Sequence, residues 1–111
     1  GRAYSQSKLA QIMFTFDLAE ELAGTGVVVN ALHPATYMDT GMVRRAGLTP
    51  RATVGEGADA VMQLIMSPDI GSGGYFNRMQ PARADGQAYD EEARRKLRML
   101  SEELTGAPTI P

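Results

Sequence analysis

Tyr4-Ser5-Gln6-Ser7-Lys8 opens a long amphipathic stretch that runs into Val27-Val28-Val29-Asn30-Ala31-Leu32-His33-Pro34, and this succession decides the fold. From about Ala3 to Ala23 the apolar residues Leu9, Ile12, Met13, Phe16, Ala19, Leu22 and Ala23 recur at helical spacing. Gly24 and Gly26 stop that helix, because glycine most easily takes the left-handed turn past a helix end. Residues 27–32 form a nearly unbroken apolar, β-branched run, the composition of a strand buried on both faces in a parallel sheet. A helix followed by such a strand is half of a β-α-β unit, so its preceding strand is expected upstream of residue 1.

Working outward, residues 34–52 carry Pro34, Gly41, Gly47 and Pro50 among scattered apolar residues. They read as a long irregular connection after a strand's carboxyl end, with a short helix near Met42–Ala46. Connections of this length in compact domains are usually functional, and ligands of open α/β sheets bind beyond the carboxyl ends of strands. Thr53-Val54-Gly55-Glu56 has the capping-box pattern. The helix it starts is expected to use Val54, Ala58, Val61, Met62 and Ile65 on one face and to stop at Pro68. Gly71-Ser72-Gly73-Gly74 reads as a turn into a short strand near Gly74–Asn77; a phosphate cradle would precede a helix instead. Asp90 is expected to cap a last helix with Ala93, Leu97, Leu100 and Leu104 on its apolar stripe and Gly106 at its close.

Two strands, both expected to be buried, cannot cover their own sheet. The first helix lacks a clear N-cap and the chain lacks an initiator methionine. The expectation is therefore a later portion of one longer domain, 1–111, with the first strands missing.

The bulk properties narrow the function classes. The 111 residues are 43% hydrophobic and 22% charged, as in a folded globular domain. A net charge of −2 gives no attraction to nucleic acid or anionic lipid. Arg94, Arg95, Lys96 and Arg98 are interleaved with Glu91, Glu92, Glu102 and Glu103 and read as a solvated helix face. With no cysteine and His33 as the single histidine, thiol catalysis and His- or Cys-based metal sites are not expected. No apolar run approaches the roughly 20 residues of a membrane span, and no signal-peptide pattern is seen, so a cytoplasmic protein is the default.

The chemistry starts from Tyr4 and Lys8, one helical turn apart and so on one face. A free phenol has a pKa near 10, about three units above neutral. A fixed cation beside it favours the phenolate. A tyrosine tuned in this way can give a proton to a carbonyl oxygen or take one from an alcohol. From the pair alone, an exposed tyrosine beside a solvated lysine is the better reading. The following segment adds weight: from Tyr4 to Pro34 the chain resembles the short-chain dehydrogenase/reductase family. In that family Tyr-x-x-x-Lys begins a helix, and the next strand ends in Asn-x-x-x-Pro-Gly followed by a threonine. The counterpart here is Asn30-Ala31-Leu32-His33-Pro34-Ala35-Thr36, with Tyr37-Met38-Asp39-Thr40 following.

The resemblance implies an α/β fold, the C-terminal part of a Rossmann-type doubly wound parallel sheet with flanking helices. It implies an NAD or NADP cofactor, with hydride transfer between the nicotinamide and a small carbonyl or alcohol substrate. Tyr4 corresponds to the acid/base, and Lys8 to the residue that lowers the tyrosine's pKa and holds the nicotinamide ribose. Pro34 and Ala35 correspond to the segment beside the nicotinamide ring, and Thr36 or Thr40 to the threonine that contacts carboxamide or phosphates. Ala35 departs from the family's glycine, and the connection to Thr40 is about one residue longer than the family's. The glycine-rich loop, the residue choosing NAD or NADP, and the catalytic serine would precede residue 1, so the isolated chain is expected to be inactive. The resemblance further implies possible homo-oligomers through the Tyr-bearing helix.

His33 could act as a base, but ending a strand ahead of proline it reads as structural or a minor pocket contact. Tyr37, Met38, Met42 and Val43 are equally pocket lining or loop packing, and Asp39 reads as exposed. Sugar-nucleotide epimerases and dehydratases share the Tyr/Lys pair but carry a larger C-terminal domain. A truncated remnant or partner-binding scaffold is the non-enzymatic alternative. A serine hydrolase is disfavoured because Gly-x-Ser-x-Gly is absent.

Overall fold

The computed structural model describes residues 1–108. Helix α1, Arg2–Glu21, is followed by a turn in which Gly24 and Gly26 both take positive φ. Strand β1, Ala31–His33, lies parallel to β2, Tyr75–Asn77, with Leu32 opposite Phe76. A third strand, β3, Gln80–Ala82, returns antiparallel to β2, giving a mixed sheet in the order β1-β2-β3. Between β1 and β2 come α2, Gly41–Arg45, and α3, Val54–Met66. A short 3-10 turn, Gly86–Tyr89, precedes α4, Glu91–Thr105.

Local chemistry accounts for these boundaries. Thr53 and Glu56 form a complete capping box at α3, a device worth about 1 kcal/mol. Asp90 accepts from Ala93 N at the start of α4, and Gly106 at φ 68° closes it. Glu91 and Glu92 sit in the first turn, where the macrodipole favours negative charge. The parallel pairing is set by a side chain. Asn30 donates Nδ2 to Gly71 O (2.8 Å) and accepts Gly74 N on Oδ1 (2.9 Å), so the turn before β2 is clamped to the entry of β1.

The core lies between α1, the 3-10 turn and α4. Met13, Phe16, Ala84 and Ala88 are buried there, with Leu9, Ile12, Tyr75, Ala93 and Leu97 packed around them. Phe16 stacks obliquely on Tyr89, ring centroids 5.1 Å apart, and the Tyr89 hydroxyl accepts Ala84 N.

Several expectations are corrected. The strand predicted over 27–32 begins only at Ala31, and Val27 and Val28 are 53% and 54% exposed. The backbone of Val29 is bonded to Ser72 Oγ and Gly73 N, and among the described residues β1 is an edge strand with nothing to bury those valines. The sheet has three strands and is mixed; Gln80-Pro81-Ala82 carries no apolar alternation, and its proline suits an edge strand. The stripe predicted for α3 faces solvent: Val54, Ala58, Val61, Met62 and Ile65 are exposed, while Gly57 and Ala60 are buried.

The basic cluster on α4 is not a uniformly solvated face. Arg94 is 7% exposed. Its Nη2 donates to Glu20 Oε1 and its Nη1 to Ala88 O. Its Nε lies 2.9 Å from Asp17 Oδ1, an ion-pair contact off the line of a hydrogen bond. Arg98 bridges Glu21 and Glu102. Ala93 and Leu97 of the predicted α4 stripe turn inward, but Leu100 and Leu104 are exposed. The helix is thus rotated toward its arginines, because α1 presents three carboxylates there.

Candidate functional site

The first turns of α1 project from the core, so Tyr4 is 66% exposed and Lys8 is exposed beside it. The Lys8 ammonium lies 5.4 Å from the centroid of the Tyr4 ring, within range of a cation–π attraction. Ser7 points elsewhere; its hydroxyl donates to Tyr4 O and stays within the helix backbone.

Opposite this face is the connection that leaves the carboxyl end of β1. Together they bound an open hollow of about 1540 Å³. Tyr4, Lys8, Pro34, Ala35, Thr36 and Thr40 all line it, so every residue singled out for catalysis or cofactor contact faces one space. Tyr37, Met38, Met42 and Val43 line it too and give its wall an apolar character. His33 reaches the same space, its Nε2 3.1 Å from Thr36 Oγ1.

The two threonines differ. Thr36 carries its hydroxyl at the mouth of the hollow, against His33. The Thr40 oxygen accepts Val43 N and caps α2, so it already has a structural role. Ala35 is buried, and the described non-glycine residues with positive φ are Tyr37 and Arg78, so Ala35 meets no left-handed penalty where the family has glycine. Met38 pairs with Ala52 in a single parallel bridge, and Arg51 N donates to Tyr37 O. These bonds fold the connection back on itself. The Arg44 guanidinium, 2.5 Å from exposed Asp39, holds that carboxyl below the usual carboxylate range.

Three features escaped the sequence reading. Asn30 is a structural clamp between the strand entries as well as a motif letter. His33 joins Thr36 at the end of β1. Arg78 lies in a second hollow with both of them. Nothing in the sequence marked the last, because residues 78 and 79, which link Asn77 to Gln80, include no glycine to announce a hairpin turn.

A tyrosine and a lysine on one helix turn thus face an apolar loop at the carboxyl edge of parallel strands. A family profile described as short chain dehydrogenase matches residues 1–50. Retinol dehydrogenase 14 of Mus musculus is 37% identical over 93% of this chain and 35% of its own length. Retinol dehydrogenase 13 of Homo sapiens is 32% identical over 97% of the chain and 38% of its own length. The WW domain-containing oxidoreductase of Danio rerio is 29% identical over 98% of the chain and 29% of its own length. The chain belongs to the short-chain dehydrogenase/reductase family of oxidoreductases. It spans little more than a third of the length of the retinol dehydrogenases it matches. No solved structure matches it significantly.

Among the described residues no helix is long and apolar enough to cross a membrane.

Proposed function

We propose that these residues are the acid/base-bearing, C-terminal portion of a single Rossmann-type domain in an NAD- or NADP-dependent oxidoreductase. The observation that carries this reading is the convergence of Tyr4, Lys8, Pro34 and Thr36 on one hollow. The exposed valines 27 and 28, apolar but without a neighbouring strand among the described residues, support a larger sheet.

The residues present suit the nicotinamide end of a dinucleotide. Lys8 offers three donors to ribose hydroxyls, and Pro34, Ala35 and Thr36 line the same hollow. Thr40, already capping α2, is the weaker candidate for the carboxamide or phosphate contact. The dinucleotide, when bound, supplies or accepts the hydride. Tyr4 moves the accompanying proton at its hydroxyl oxygen, to the carbonyl during reduction and from the alcohol during oxidation. Balanced, an alcohol and the oxidised cofactor give a carbonyl, the reduced cofactor and one proton.

The apolar lining from Tyr37, Met38, Met42 and Val43, together with relatives named as retinol dehydrogenases, supports a hydrophobic alcohol or aldehyde as substrate. Self-association along α1, where Phe14 stays 46% exposed, belongs to the same proposal.

The test compares cofactor-dependent turnover by the full-length protein and its Tyr4→Phe variant. Loss of one positioned proton-transfer group should lower kcat by about a hundredfold or more. Equal rates would remove Tyr4 from the chemistry.

A further inference from the structure

We infer that Arg78 is an anion-recognising residue at the edge of the substrate and cofactor hollow, receiving a carboxylate or phosphate oxygen of the bound ligand. This rests on the oxidoreductase reading above and adds to it a specificity element.

Residues 78 and 79 link β2 to β3, with Asn77 paired to Gln80. The first residue of such a two-residue turn often takes positive φ, and asparagine, aspartate or glycine is its usual occupant. Here it is arginine, at φ 58°. Of the described residues, the other non-glycine with positive φ is Tyr37, at 46°. Both strained residues lie just beyond the carboxyl ends of the two parallel strands, Tyr37 after β1 and Arg78 after β2. That edge is where open α/β sheets bind their ligands, and strain kept at such a place points to function.

The turn is also docked there. Arg78 N donates to His33 O at 2.8 Å, which ties the guanidinium-bearing residue to the last residue of β1, directly before Pro34. A hollow of about 620 Å³ lies between these segments, lined by His33, Thr36, Asn77, Arg78 and Gln80 among others. Its polar groups are an imidazole, a hydroxyl, two carboxamides and one guanidinium, and it contains no carboxylate. Arg44, Arg94, Arg95 and Arg98 each pair with an acidic side chain, whereas Arg78, like Arg2, Arg45, Arg51 and Arg83, enters no ion pair among the described residues. His33 and Thr36 line this hollow and the larger one alike. A ligand seated against Tyr4 can therefore extend an anionic end past Thr36 to Arg78. Arginine suits that end because its fork of donors matches planar oxyanions.

The anionic oxygens can come from the dinucleotide or from the substrate, and binding separates the two. Dissociation constants are measured on the full-length protein for NADH and NADPH by nucleotide fluorescence. Calorimetry gives those for 4-(hydroxymethyl)benzoate and benzyl alcohol. Arg78→Gly relieves the turn, so its melting temperature should equal or exceed that of the parent; Arg78→Gln is the second variant. Both should weaken at least one anionic ligand about tenfold or more and leave benzyl alcohol unchanged. A rise confined to the benzoate assigns the oxygens to substrate, and one confined to a dinucleotide assigns them to cofactor. Constants within about twofold for all four ligands, or no binding of any anionic ligand by the parent, would overturn the inference. Turnover insensitive to Tyr4→Phe would sink the acid/base reading while leaving these constants intact, so the two failures are distinct.

Discussion

Helix α1 buries Met13 and Phe16 against the 3-10 turn and α4, whereas α3 turns Val61, Met62 and Ile65 to solvent and buries only Gly57 and Ala60. Both helices are well formed, and α3 has the better cap. Their difference shows that helix formation and core formation are separate here. Stability is concentrated where α1, Tyr89 and α4 interlock, and the α3 side serves chiefly to hold the connection that faces Tyr4.

The largest effect should separate the two sides outright. Phe16→Ala removes a buried ring and is expected to lower unfolding free energy by about 3–5 kcal/mol. Ile65→Ala, at 67% exposure, should change it by less than about 0.5 kcal/mol. Urea titration of both variants checks the contrast, and comparable losses would abolish it.

Next comes the polar half of the α1–α4 contact. Arg94→Ala leaves Asp17, whose side chain is 17% exposed, without its cation, and should cost about 3 kcal/mol. Replacing the pair together, as Asp17→Leu with Arg94→Met, should recover most of that, since apolar groups can substitute for a buried pair. A double variant as unstable as Arg94→Ala would mean the arginine acts through something other than this charge. Glu20, 67% exposed, is expected to matter little.

The smallest effect is a slope. Burial pushes the Asp17 carboxyl above its ordinary value of 3.8, and Arg94 offsets part of that rise. The folded chain therefore holds this proton more tightly than the unfolded chain. That contribution favours folding at low pH and is lost as pH climbs from 3.8 through the raised folded value. Asp17→Asn should lack the slope, measured by unfolding at stepped pH. An unchanged profile would place the acid-range titration on other carboxylates.

The same partition explains what could be read from the residues alone. Caps are local, so Thr53/Glu56, Asp90 and Gly106 set helix ends that the sequence announces. The facing of Tyr4 and Lys8 follows from helix geometry and needs no tertiary contact. What covers a face is not local. The stripe on α3 was legible but its exposure was not, because no described neighbour covers it. Arg94 looked like surface because charge suggests solvent, and only the approach of Asp17 and Glu20 from α1 makes its burial tolerable. Strand β3 stayed hidden because its pattern carries no alternation and its turn uses arginine where glycine would have signalled it.

One contact binds the quiet side of the molecule to the working side. A β-carbon on Gly57 would overlap the sulfur of Met38, so the bare backbone of α3 is the seat on which the connection facing Tyr4 rests. The sizes of residues 38 and 57 are therefore exchangeable currency. A designer wishing to reshape the wall of the hollow need not touch it directly: enlarging 57 while trimming 38 would shift that wall from behind.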